Sequence, residues 1–420
     1  AIPQWIKEKV AELGPEINYS YDDRGNGDLF ADVFKDVCRF NSTAKCWCCY
    51  NGKFWEEDRA ELIAAENAKM LQDALLIYAT TIEDYKEREE YGKHVMKIGR
   101  QQVRKNMIYD ARSKYPVKAE QFDQHKELFN CKNGTYNLET GVLQKHNPND
   151  YISKISNVYY DPAAKSTEIQ KTMNTILQGN KENIEYIQKI FGMALSGITN
   201  EEKLFLLYGA TTRNGKSTIV ETYLYMIKDY GITMQPETLA LSKKDSRTAN
   251  GDIARLKGAR FVNAPEPPQN MRFDAALIKQ LTGNDMITAR KIYQEEMSFI
   301  PEFITLINTN HLPIITDETL FTSGRIVVIP FRKHFEEHEQ DKWLKSRLKQ
   351  RQNISGFFNW CVAGYQKYQK DGLETTESMN QEIESYHMNS DKIAAFISEV
   401  LTEDPAQFVT MKELYPIYEQ

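Results

Sequence analysis

The stretch Leu204-Phe-Leu-Leu-Tyr208-Gly209-Ala-Thr-Thr-Arg-Asn214-Gly215-Lys216-Ser217-Thr218 decides the fold of this chain. Five apolar residues of the kind a strand buried on both faces requires run directly into G-x4-G-K-S, and a helical pattern follows. Glycines at 209 and 215 let the backbone curl until its N–H groups point inward, and the helix that starts near Lys216 adds its positive end. The spacing therefore predicts a phosphate loop. In it Lys216 neutralises β- and γ-phosphate charge, Ser217 holds Mg²⁺, and Gly209, Asn214, Gly215 and Thr218 complete the nucleotide cradle.

Outward from the loop, strand and helix patterns alternate to about Phe331, the signature of an α/β sheet domain. Arg260-Phe-Val-Asn-Ala-Pro-Glu266 is a second strand, ending in a carboxylate where an NTPase orients its attacking water. The third, Phe303 to Asn310, ends in Thr309-Asn310, a polar pair suited to reading a γ-phosphate. In the fourth, Thr322-Ser-Gly-Arg325-Ile-Val-Val-Ile-Pro-Phe331, an arginine stands at the entrance of the strand and can serve a neighbouring subunit's nucleotide. Pro265 precedes Glu266, so the tandem acids of many phosphate-loop motors are missing and direct carboxylate coordination of Mg²⁺ at this strand is in question.

The order and spacing of these segments, together with Lys279-Gln-Leu-Thr-Gly283-Asn-Asp285-Met-Ile-Thr-Ala-Arg290-Lys291, resemble the superfamily 3 helicases, AAA+ ATPases of small viruses, phages and plasmids. Trp55 after the turn Asn51-Gly52, Asn133-Gly134 and His146-Asn-Pro148 are similar to the domain that precedes the helicase in phage and poxvirus-type primase–helicases. The resemblance implies an AAA+ core that binds ATP and Mg²⁺, with Glu266 activating water, Asn310 as sensor and Arg325 as a finger acting in trans. It also implies a DNA-gripping hairpin, in which Lys291 follows the backbone with Arg290 and Tyr293 beside it. A cation on phosphates needs no base code, as suits a motor that crosses any sequence. Ile292 follows Lys291 where relatives often carry a histidine or aromatic, which leaves base stacking to Tyr293.

The expected activity is that of an ATP-driven replicative DNA helicase, a ring, typically hexameric, moving on single-stranded or forked DNA. The alternative is an ATP-switched initiator or loader that binds DNA without unwinding it. A primase or polymerase module and host replication proteins are the expected further partners.

Composition agrees with such a class. A chain of 420 residues, 41% hydrophobic and 27% charged, has room for two or three cores, and it contains no apolar run of membrane-spanning length. No signal-peptide pattern opens it, so a cytoplasmic protein is expected. The net charge of −6 excludes a uniformly basic coat, and basic surface must be local. One such region, Lys93 to Lys118, holds eight Lys or Arg against the single acid Asp110. In a long helical stretch from about Arg59 to Arg112, Lys97, Arg100 and Arg104 share a helical face, either solvated or phosphate-binding. Four cysteines, Cys38, Cys46, Cys48 and Cys49, lack the paired C-x2-C spacing of structural zinc and sit among aromatics, the pattern of a buried strand pair.

The expected organisation is an α-rich domain with short strands at 1–164, the ATPase domain with its preceding helices at 165–335, a helical segment at 336–390, and the opening of a winged-helix module at 391–420. Both ends read as cut from a longer protein.

Overall fold

The computed structural model describes residues 2–198, 200–241, 251–290, 296–390, 400 and 409–418. It divides into two compact units, Ala1–Ile155 and Ser156–Gln420. The expected winged-helix opening falls mostly outside the described residues. Among those described, no helix is long and apolar enough to cross a membrane.

In the first unit, helix Asp23–Phe34 starts where the Asp22 carboxylate accepts from Gly25 N at 2.8 Å. Its apolar face packs with Trp47, Leu71 and Val95 in one buried cluster. The anticipated helical stretch from about Arg59 to Arg112 consists of three helices, Leu62–Ala79, Tyr85–Ile98 and Gln101–Ala111. Two local chemistries break it. Thr80 and Thr81 turn their hydroxyls back onto Ile77 O and Tyr78 O, each at 2.7 Å, and Asp84 then caps a new start through Glu87 N at 2.9 Å. At the second break Arg100 is extended, and Arg104 donates its guanidinium to Gly99 O at the end of the preceding helix. The expected three-cation face is therefore corrected: Lys97 and Arg104 belong to different helices, and Arg104 serves as a cap.

The cysteine-rich segment forms the antiparallel sheet β1 (Cys38–Asn41), β2 (Cys46–Tyr50) and β3 (Trp55–Asp58). Asn51 closes the β2–β3 turn by accepting from Lys53 N and Phe54 N, both at 3.1 Å. Cys38 and Cys49 face each other across β1 and β2 with Sγ atoms 2.8 Å apart. No cluster of His, Cys, Asp or Glu among the described residues has the makings of a metal site. A second small sheet, β4 (Leu128–Cys131), β5 (Gly134–Asn137) and β6 (Leu143–Gln144), completes the unit.

The second unit is built on a five-stranded parallel sheet of β7 (Leu204–Tyr208), β8 (Gly231–Thr233), β9 (Phe261–Pro265), β12 (Ile304–Thr309) and β13 (Ile326–Pro330), in the order β13-β7-β12-β9-β8. Buried apolar residues occupy both faces of β7, β12 and β13, as helices on either side demand. On one side Phe191 of helix Lys181–Ser196 stacks on Tyr223 of helix Lys216–Ile227 at 4.2 Å, and both meet Phe261 edge-on. Phe191 is fully buried, so Phe191→Ala is expected to cost about 3–5 kcal/mol. Thermal or urea unfolding of the purified variant checks this. Helices Leu344–Leu348, Arg351–Asp371 and Glu377–Ser390 follow the sheet.

A separate antiparallel hairpin, β10 (Ile287–Arg290) with β11 (Glu296–Phe299), lies between β9 and β12 in the chain and outside the five-stranded sheet.

Candidate functional site

At the C-terminal end of β7 the chain leaves the sheet at Gly209, whose N–H still donates to Thr309 O of the neighbouring strand at 3.2 Å. The loop is strapped internally by Asn214, whose side-chain amide donates to Thr211 O at 2.6 Å. It is strapped externally by the segment after β13, through Phe335 N to Arg213 O at 2.9 Å and a His334 Nδ1 contact to Thr212 O at 2.8 Å.

Both glycines of the motif are required sterically. A Cβ on Gly209 would lie 2.2 Å from Asn214 Nδ2 and 2.6 Å from Phe331 O. Gly215 has φ +84 and rests on Ile176, which a Cβ would meet at 2.6 Å. The glycines therefore allow the loop its tight course, and helix Lys216–Ile227 begins at its end.

Lys216 is buried under the loop, and its Nζ donates to Asn310 Oδ1 at 2.7 Å and Gly209 O at 3.3 Å. Burial pushes its ammonium down to about 8, and the negative charge of Glu266 opposes part of that fall. Phosphate charge would restore the proton. If the loop holds ATP, as the sequence leads one to expect, binding at a pH of about 8, where the lysine is half-charged in the free protein, takes up protons. Titration calorimetry in two buffers of different ionisation enthalpy reads this uptake, which disappears in Lys216→Met.

Parallel pairing brings the other predicted groups to the same end of the sheet, because β12 lies between β7 and β9. Asn310 follows β12 and Glu266 follows β9. Glu266 is exposed, has φ +48 and donates its N–H to Asn308 O at 2.7 Å. A left-handed non-glycine between two prolines is strained backbone. Ser217 and Thr218 stand half-buried in the first turn of the helix.

Two residues here escaped the sequence reading. Asn263 of β9 and Asn308 of β12 are buried with side-chain oxygens that have no hydrogen-bond partner among the described residues, and the register puts them on one face of the sheet. Within apolar strands each registers only as an interruption. Beside the loop lies a cavity of about 630 Å³, walled by Thr172, Thr175 and Ile176 of helix Thr167–Ile176, by Arg213 and Thr218, and by Phe335. These walls come from segments too far apart in the chain to form a motif.

Arg325 stands at the opposite end of the sheet. Its carbonyl accepts from Leu204 N at 2.7 Å, level with the start of β7, so roughly 17 Å of strand separates it from the loop that follows Tyr208. Its guanidinium donates to Glu202 Oε2 at 2.7 Å and to Thr282 Oγ1 at 2.9 Å. Of the anticipated DNA-gripping residues, Arg290 is exposed at the end of β10, paired in register with Glu296. Lys291 and Tyr293 lie outside the described residues.

A family model described as "D5 N terminal like" matches residues 27–178. Among curated proteins, the putative helicase L207/L206 of Acanthamoeba polyphaga mimivirus is 28% identical over 313 residues, covering 70% of this chain and 32% of that protein. The putative helicase V13 of Sputnik virophage is 24% identical, covering 69% and 39% respectively. The putative primase C962R of African swine fever virus is 20% identical, covering 68% and 32%. The chain thus spans about a third of the length of these relatives.

Proposed function

Starting from a chain of the phage and viral primase–helicase type, we propose that its second unit is a superfamily 3 AAA+ ATPase that burns ATP to move on DNA. The observation that carries the reading is the division of groups between the two ends of one sheet. Lys216, Asn310 and Glu266 converge at the C-terminal end, while Arg325 sits at the other. A finger so far from its own nucleotide serves the next subunit in a ring. The strand order β13-β7-β12-β9-β8, with the phosphate-loop strand second, suits the AAA+ arrangement.

In this reading the loop amides hold the phosphates, and Lys216 exchanges Asn310 for a phosphate oxygen. Asn310, released, contacts the γ-phosphate and the water beside it. Glu266 takes a proton from that water as its oxygen attacks phosphorus and the bond to ADP breaks. The neighbour's Arg325 steadies charge on the equatorial oxygens. Mg²⁺, held through the Ser217 hydroxyl, would neutralise charge between the phosphate oxygens. The residues present suit it in part, since Glu266 is the single carboxylate of the segment Phe261–Gln269 and no acid on the strand assists Ser217 directly.

The hairpin β10–β11 carries the DNA contact in this reading, through Lys291 with Arg290 and Tyr293. Lys291→Ala is expected to abolish unwinding of a forked duplex while assembly and unstimulated ATPase persist. Unwinding at the parental rate would return Lys291 to an exposed turn and favour a loader. The reading as a whole is tested by ATPase rates with and without single-stranded DNA together with particle mass. A DNA-stimulated, assembly-dependent activity is expected, and a monomer with unstimulated activity contradicts it.

A further inference from the structure

Arg325 is gripped by the element that leads into the hairpin. Thr282, which accepts one of its N–H groups, is the last residue of helix Ala275–Thr282; Gly283, Asn284 and Asp285 then pass into β10. The same helix holds the connector that carries Arg325 at a second point. Lys279 Nζ donates to Asp317 Oδ2 at 2.8 Å, and the other Asp317 oxygen accepts from Thr319 N at 3.0 Å and Thr319 Oγ1 at 2.6 Å. That fixes the turn Thr319–Thr322, after which Ser323 and Gly324 lead to Arg325.

Lys279 first, then Thr319, holds the Asp317 carboxyl down at about 2, so the pair stays charged through the working range of pH. Apolar packing follows the same route. Ile278 and Leu281 of the helix, Ile287 and Phe299 of the hairpin, and Leu320 and Phe321 of the turn belong to one buried cluster. Close-packed interiors transmit displacement rather than absorb it.

We infer that Thr282 and the Lys279–Asp317 pair are positioning residues that tie the hairpin to Arg325 of the same subunit, so that DNA on the hairpin sets where the guanidinium is presented. The inference rests on the proposed function, in which the hairpin grips DNA and Arg325 completes the neighbour's site. Glu202 keeps Arg325 in place when no DNA is bound. Removing the Thr282 hydroxyl should then spare the resting rate and remove its response to DNA.

The test uses the full chain, an oligo(dT) strand as probe, and ATPase measured with and without it. Thr282→Val and Lys279→Met are expected to lower the stimulation by about fivefold or more. Unstimulated ATPase and oligo(dT) affinity, read by fluorescence anisotropy, stay at parental levels. Thr282→Ser, which keeps the hydroxyl, restores stimulation, a rescue that a packing role alone does not predict. Parental stimulation in Thr282→Val overturns the coupling, as does loss of oligo(dT) binding in that variant, which would assign the effect to the hairpin itself. A parent enzyme indifferent to DNA, or full activity in Arg325→Ala, removes the underlying reading and the coupling with it.

Discussion

Arg325→Ala is expected to lower kcat for ATP hydrolysis by about 10³–10⁵, the range an arginine finger supplies, while ATP binding to each subunit persists. The size of the effect follows from where the charge acts. In the proposed site Lys216 and the loop amides would face the phosphates before and during reaction, whereas the finger would meet charge that spreads over the γ-phosphoryl group at the transition state. Structural damage does not account for such a loss. Glu202, one partner of Arg325, is partly exposed and regains water when the guanidinium is removed, and Thr282 retains its own bond to Ile278 O at 2.7 Å. Equilibrium binding of a fluorescent ATP analogue, set beside steady-state kinetics, separates the two quantities. A matching fall in affinity would put Arg325 in its own subunit's site, against the roughly 17 Å of strand between them.

Lys216→Ala is expected to remove ATPase by at least about 100-fold and to weaken nucleotide binding as well. Here ground state and transition state lose the same cation. The buried position adds to the effect, because desolvation strengthens each interaction the ammonium makes with a phosphate oxygen. Asn310 provides an internal comparison. In the free protein it accepts from Lys216 at 2.7 Å, so Asn310→Ala leaves the lysine with one acceptor, Gly209 O. That variant should bind ATP and fail in turnover, the split expected of a group that reads the γ-phosphate. Rates and affinities measured together on the two variants test the distinction.

How far the sequence reached differs between the two ends of this site. The course of the backbone around Gly209–Lys216 was legible, because G-x4-G-K-S after an apolar strand leaves it few alternatives; the strand ends at Tyr208 and the helix begins at Lys216. Glu266, Asn310 and Arg325 were legible as residues at strand ends. Their convergence was not, since it depends on β12 lying between β7 and β9, a fact of topology. The strain at Glu266 and the orphaned oxygens of Asn263 and Asn308 leave no trace in a pattern of apolar residues. In the first unit the helical reading ran through Thr80 and Gly99 because apolar spacing continues across both. The breaks come from hydroxyls and a guanidinium bonding to helix ends, contacts that periodicity does not record. Thr282 and Glu202 were invisible for a related reason. Each acquires meaning only when folding brings it to Arg325.

Mixing two inactive variants tests whether the proposed catalytic site is completed between subunits. Lys216→Ala and Arg325→Ala chains, each inactive alone, are combined in equal amounts under conditions where subunits exchange, and ATPase is measured. Recovered activity is expected, from the roughly one interface in four where an intact Lys216 faces an intact Arg325. A mixture of exchanged subunits as inactive as its parts would contradict it.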